Sequence, residues 1–106
     1  MSVANVPTAD DELVKLKPRA QKINNNISHA IHNEQFYDRL PADIQYKLAH
    51  YRSQIDLLLR RIENREKGVS NHFYINPVQK YDVLLHEIEY SPAYITITLH
   101  EHPWNQ

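Results

Sequence analysis

The stretch IQYKLAHYRSQIDLLLRRI, residues 44–62, carries the clearest structural signal in this sequence. Its apolar side chains recur at steps of four and three residues, at Ile44, Leu48, Tyr51, Ile55, Leu58 and Ile62. This spacing places them along one side of an α-helix and is typical of a helix that packs lengthwise against another helix. Pro41 suits the start of such a helix, and Gly68 suits its end. We therefore expect a helix over residues 41–67.

The preceding segment repeats this spacing, at Leu13, Leu16, Ala20, Ile23, Ile27 and Ala30. Pro18 interrupts it, and proline is tolerated in the first turn of a helix but costs about 3 kcal/mol in its interior. We expect a short helix near residues 10–16 and a longer one over about 18–33, with a single kinked helix as the alternative. The connection is short, so helices 18–33 and 41–67 should be antiparallel neighbours.

The C-terminal third of the chain has two interpretations. YITITL, residues 94–99, alternates apolar and polar side chains and predicts a strand, and HFYI, residues 72–75, is also typical of strands. Residues 77–90 fit a helix that starts at Pro77. On that helix one face would carry Val78, Tyr81, Leu85 and Ile88. Alternatively, Leu84, His86, Ile88 and Tyr90 alternate as a strand that would pair with 94–99 in a hairpin.

Together these patterns predict a mainly α fold of the α+β class. An antiparallel helical hairpin, residues 18–33 and 41–67, would carry a small β or αβ element at residues 72–100. The chain has 106 residues, which is enough for one hydrophobic core. We expect a flexible leader over residues 1–9 and a single domain over 10–106.

Composition narrows the possible functions. The net charge is −1, there is no cysteine, and no apolar run approaches the length of a membrane helix. These features predict a cytoplasmic protein with no membrane attachment. Gly68 is the only glycine, and glycine-rich phosphate-binding loops are absent. We therefore expect neither a bound cofactor nor catalysis.

Histidines provide the alternative hypothesis of a small metal-binding protein or a histidine-dependent enzyme. His100 and His102 flank a glutamate, and on an extended backbone their side chains would point the same way. His86 could complete the site. His29 and His32 are three residues apart on the predicted helix, but a zinc site needs three or four ligands. We interpret that pair as solvent-facing.

A second alternative is a nucleic-acid-associated regulator that uses Arg52, Arg60 and Arg61. Glutamates interrupt this basic strip, and the whole chain is slightly acidic. Basic residues also complement the dipole at the C-terminal end of a helix, which explains most of the strip. Nucleic-acid binding is therefore disfavoured.

The leading hypothesis is a non-enzymatic protein–protein interaction module, such as an adaptor, an inhibitor or a regulatory or assembly subunit that forms homo-oligomers. Asparagine weakens a helix, so the triplet at residues 24–26 hints at a contact. Tyrosine and tryptophan are enriched at interfaces, and extra leucines widen the apolar surface of helix 41–67. The candidate partner-binding residues are Asn24, Asn25, Asn26, Tyr37, Leu57, Leu59, Tyr90, Tyr94 and Trp104.

Overall fold

The computed structural model describes residues 9–69 and 78–98, and every regular element in these two ranges is a helix. In chain order the helices are α1 (Ala9–Val14), α2 (Lys17–His32), α3 (Glu34–Tyr37), α4 (Ala42–Lys67), α5 (Val78–Glu89) and α6 (Pro92–Thr98). The predicted 10–106 domain and 1–9 leader extend beyond these ranges and remain predictions.

The predicted hairpin of two long helices is confirmed by α2 and α4. Lys17 at the start of α2 forms an ion pair with Glu66 near the end of α4, with 2.8 Å between Nζ and Oε2, so the helices run antiparallel. The side chains on the facing sides of the two helices are buried. They are Ala20, Ile23, Ile27 and Ala30 of α2 and Leu48, Tyr51, Ile55, Leu58 and Ile62 of α4. The heptad spacing therefore identified the contact between the helices correctly.

The ends of these helices follow local sequence signals. Pro18 lies in the first turn of α2, and a break separates α1 from α2, so two helices form rather than one kinked helix. Gly68 ends α4 with a φ of 75° in the left-handed region. Its N–H donates to the Arg65 carbonyl at 3.1 Å, and the Val69 N–H donates to the Asn64 carbonyl at 2.8 Å. This pair of bonds forms a Schellman motif, in which glycine avoids the strain of a side chain.

The prediction of a strand at residues 94–99 is wrong for residues 94–98, because Pro92–Thr98 form α6, and Leu99 lies outside the described residues. Ser91 provides the reason. Its hydroxyl accepts a hydrogen bond from the Tyr94 N–H at 3.1 Å and donates to the Ile88 carbonyl at 2.7 Å. Ser91 thus acts as an N-cap, and Pro92 takes the first helical position, where proline is favoured. The Ser-Pro pair starts a helix here instead of a hairpin turn.

For the segment 77–90 the helical alternative is confirmed and the strand alternative is wrong over the described residues 78–90. α5 spans Val78–Glu89 and buries Tyr81, Leu85 and Ile88, as its predicted helical face required. The α+β assignment is therefore incorrect, since residues 9–69 and 78–98 contain helices and no strand. The strand predicted at residues 72–75 lies outside the described ranges.

The two C-terminal helices pack against the hairpin. Arg19 of α2 forms ion pairs with Asp82 and Glu89 of α5, at 2.9 and 2.7 Å. Side chains from α5 and α6 join the same hydrophobic cluster as those of α2 and α4. No helix in the described parts of the chain combines the length and the apolar character needed to cross a membrane.

Candidate functional site

A groove of about 480 Å³ runs between α4 and α5. Gln54 and Leu57 of α4 form one wall, and Lys80, Val83, Leu84 and Glu87 of α5 contribute to the other. α5 buries Tyr81, Leu85 and Ile88, so Lys80, Val83 and Glu87 lie on a different side of the same helix. We call this feature the α4–α5 groove.

Two apolar side chains in the α4–α5 groove are open to solvent. Val83 is 64% exposed and Leu57 is 46% exposed, whereas Leu58, next to Leu57, and Leu85, two residues after Val83, are fully buried. A single exposed apolar residue is ordinary on a protein surface. Two that line the same concave surface form a site where a partner could bury apolar area.

Opposite charges lie at the two ends of this apolar stretch. Lys80 and Glu87 are both exposed and are separated by seven residues, or about two helical turns. Neither of them forms an ion pair with another residue in ranges 9–69 and 78–98. Several other charged residues are paired, such as Lys17 with Glu66 and Lys67 with Glu63. The groove therefore has a charged rim that is available to a partner.

The asparagine triplet has three different environments. The Asn26 amide Nδ2 donates a hydrogen bond to the Tyr94 hydroxyl at 2.8 Å and so ties α2 to α6. Asn25 is exposed. The Asn24 Oδ1 atom is buried, and no described residue donates a hydrogen bond to it. Burial raises the pKa of Tyr94, while the hydrogen bond from Asn26 partly opposes this shift. Two of the predicted partner-binding residues, Asn26 and Tyr94, thus contact each other.

The remaining predicted partner-binding residues are dispersed. Tyr37 closes the connection to α4, since its hydroxyl donates to the Gln45 carbonyl at 2.9 Å and its own carbonyl accepts from Gln45 at 2.8 Å. Leu59 is partly buried against the core. Tyr90 is 69% exposed, and Leu57 lines the α4–α5 groove. Trp104 lies outside the described residues. Their role in binding remains a prediction.

The histidines do not form a cluster in the part of the chain that the structure describes. His86 is exposed, and its ring centroid lies 4.6 Å from that of Tyr90. His29 and His32 are exposed on α2. Within residues 9–69 and 78–98, no group of three or more histidine, aspartate or glutamate side chains is placed to hold a metal ion. The other predicted ligands, His100 and His102, lie outside these ranges.

Arg52 and Arg60 of α4 line one surface groove, and Arg61 is not among the residues that line it. Arg60 is exposed and Arg52 is half-buried, but Arg61 is buried with its guanidinium 5.6 Å from the centre of the Tyr81 ring. Arg65 forms an ion pair with Asp11. The Arg61–Tyr81 contact is a cation–π interaction that joins α4 to α5. Nothing in the spacing of the two residues indicated that contact.

Sequence reasoning identified Leu57 but missed Val83, Lys80 and Glu87. The sequence did contain a signal for these three residues, because none of them belongs to the predicted buried face of the helix, which contains Tyr81, Leu85 and Ile88.

Comparison with protein-family models matched no family, and comparisons with curated proteins and with solved structures matched no relative. Only this chain's own surface therefore indicates a function.

Proposed function

We propose that this chain is a non-enzymatic protein–protein interaction module, of the adaptor, inhibitor or regulatory-subunit kind, and that the α4–α5 groove is its binding surface. The observation that carries the proposal is the exposure of Leu57 and Val83 within one groove. The core of the hairpin is closed without either of them. Neither side chain is therefore needed to close the core, and the exposure of both suits recognition of another protein surface.

The apolar area of the groove is enough for a contact but not for tight binding. Burying a whole valine or leucine side chain contributes roughly 1.5–3 kcal/mol, and these two are already partly covered. Association also costs translational and rotational freedom. We expect the charged rim at Lys80 and Glu87 to supply orientation and specificity.

Sequence composition supports a binding role over catalysis. The chain has one glycine and no cysteine, so glycine-rich phosphate loops and thiol chemistry are both missing from its repertoire. A cysteine-free chain also suits a reducing compartment, and we include a cytoplasmic location in the proposal.

The test compares Val83→Glu with Val69→Glu. Both positions carry an exposed valine, with 64% of Val83 and 54% of Val69 accessible to solvent, but Val69 does not line the groove. Each variant and the original chain would be immobilised and exposed to an extract of the native host, with bound proteins quantified by mass spectrometry. We expect Val83→Glu to reduce a bound partner, or bound copies of the chain, by about tenfold or more, since a carboxylate must then be buried.

Val69→Glu is the matched control, because it adds the same charge outside the groove. Circular dichroism of both variants would measure whether they keep the helical content of the original chain. Equal retention of the same proteins by the original chain and by Val83→Glu would refute the groove as a binding surface.

A further inference from the structure

We infer that a second copy of this chain occupies the α4–α5 groove, with the two α5 helices antiparallel across a two-fold axis. This inference rests on the proposed function and names the partner. It follows from the charge pattern of α5, which is complementary to itself when one copy is turned around.

A two-fold interface requires reciprocity: if a first residue contacts a second across the axis, the second also contacts the first. Lys80 and Glu87 satisfy this requirement when the axis passes midway between them, that is, between residues 83 and 84. Lys80 then faces Glu87 of the second copy, and Glu87 faces Lys80 of the second copy. Val83 faces Leu84 across the centre. One alignment thus pairs both charges and places the apolar residues together.

The helical spacing supports the same geometry. Steps of three and four residues connect residues 80, 83 and 87, so they follow one side of α5 as a second seam beside the one that packs into the core. Lys80 and Glu87 are separated by about 10.5 Å along the helix axis, which leaves one turn of apolar contact between the two ion pairs.

The charges also select the direction of pairing. In a parallel arrangement in register, Lys80 would face Lys80 of the second copy, and Glu87 would face Glu87. Like charges at close range repel, so this arrangement is disfavoured. Only the antiparallel alignment converts the same two residues into two attractive pairs.

α4 enlarges the contact. A 12-residue helix such as α5 is about 18 Å long, which is short for a stable interface. Leu57 and Gln54 line the same groove from α4 and would cover the flank of the incoming helix. The modest apolar area predicts a dimer that dissociates on dilution rather than an obligate one.

The test is charge reversal in the full chain, followed by sedimentation equilibrium. Lys80→Glu turns both attractive pairs into repulsive ones, and we expect it to weaken dimerisation by about tenfold. Glu87→Lys should do the same. The double variant Lys80→Glu/Glu87→Lys restores opposite charges at both contacts and should recover the original affinity to within about threefold. Lys22→Glu, at an exposed position of α2 outside the groove, is the control for net charge.

The direction of pairing has its own readout. The chain has no cysteine, so introduced cysteines are its only thiols. When a Lys80→Cys chain is mixed with a Glu87→Cys chain and oxidised mildly, the antiparallel dimer should form disulfides mainly between unlike chains. Disulfides mainly between like chains would overturn the antiparallel arrangement.

Two further results would overturn the inference. The first is a chain that sediments as a monomer at about 1 mM, and the second is a dimer whose affinity does not respond to Lys80→Glu. Capture of a different protein that Val83→Glu abolishes, by a chain that stays monomeric, would overturn the second copy as partner and leave the proposed function standing. Failure of the proposed function is separate, because it requires that Val83→Glu alter no association at all.

Discussion

The Asn26 side chain reaches from the middle of α2 to the Tyr94 hydroxyl of α6, with 2.8 Å between the two atoms. Asparagine is a poor helix former because its side chain competes for backbone hydrogen bonds. At this position a tertiary hydrogen bond between helices offsets the local cost. From sequence alone, the triplet Asn24–Asn26 is interpreted as a contact with a partner. Asn26 shows that an asparagine in a helix can instead form a hydrogen bond with another helix of the same chain.

Removal of the Tyr94 hydroxyl should change the free energy of unfolding at neutral pH and also its dependence on pH above 10. Tyr94→Phe deletes the acceptor for Asn26, and we expect the free energy of unfolding at pH 7 to fall by about 1 kcal/mol. The pKa of Tyr94 is raised above its ordinary value of 10.0, chiefly by burial, so the native state holds this proton more tightly than the unfolded chain does. The corresponding stability is present below pH 10 and is lost as the pH rises through 10 toward the native pKa.

Urea unfolding at pH 7 and at several values above 10 measures both effects. The original chain should lose more stability between these conditions than Tyr94→Phe, which has no phenol at this position. Tyr46→Phe is the control, since Tyr46 is 69% exposed. Parallel alkaline profiles for the original chain and Tyr94→Phe would contradict the assignment.

Among the helices, α6 departs furthest from the prediction made from sequence. Its sequence alternates as a strand does, yet the structure buries Ala93, Tyr94 and Ile97, a helical set. The Thr98 hydroxyl donates to the Tyr94 carbonyl at 3.0 Å, four residues back, so this β-branched side chain finds a partner within the helix. The cap at Ser91 and the shared core outweigh the strand propensity of these residues.

Because α6 is a helix, Ile95 and Ile97 are buried to different extents. On a strand the two side chains would share one face, whereas on α6 Ile97 is fully buried and Ile95 is 38% exposed. We expect Ile97→Ala to lower the free energy of unfolding by about 2–5 kcal/mol and Ile95→Ala by no more than about 1 kcal/mol. Chemical denaturation of both variants provides the measurement. Equal losses would favour the strand.

Side chains from α1, α2, α4, α5 and α6 join one hydrophobic cluster. Arg19, Asn26 and Arg61 each connect the hairpin to the C-terminal helices, through an ion pair, a hydrogen bond and a cation–π contact. A shared core means that the two parts cannot lose their packing separately.

A single cooperative unfolding transition follows from this arrangement. Leu48 of α4 and Leu85 of α5 are both fully buried, and we expect Leu48→Ala and Leu85→Ala each to lower the free energy of unfolding by about 2–5 kcal/mol. Far-ultraviolet circular dichroism and tyrosine fluorescence should report the same midpoint for each variant. Two separate transitions in Leu85→Ala would indicate that α5 and α6 unfold independently of the hairpin.

Long, capped and strongly periodic segments were predictable from the residues alone. The spacing from Ile44 to Ile62 identified the buried side of α4, and Gly68 marked its end. The face of α5 was one of two alternatives and proved correct. These features depend on contacts between residues three or four apart and on backbone geometry, which a sequence displays directly.

The choice between helix and strand at residues 94–98, the internal role of Asn26 and the α4–α5 groove required the folded chain. Short apolar segments fit either periodicity, and packing against distant residues decides between them. Whether an apolar side chain such as Val83 is buried or open depends on which helices cover it, and that depends on contacts between residues far apart in the chain. Local spacing therefore determined the long helices and their facing sides, while long-range packing determined which apolar side chains stay exposed.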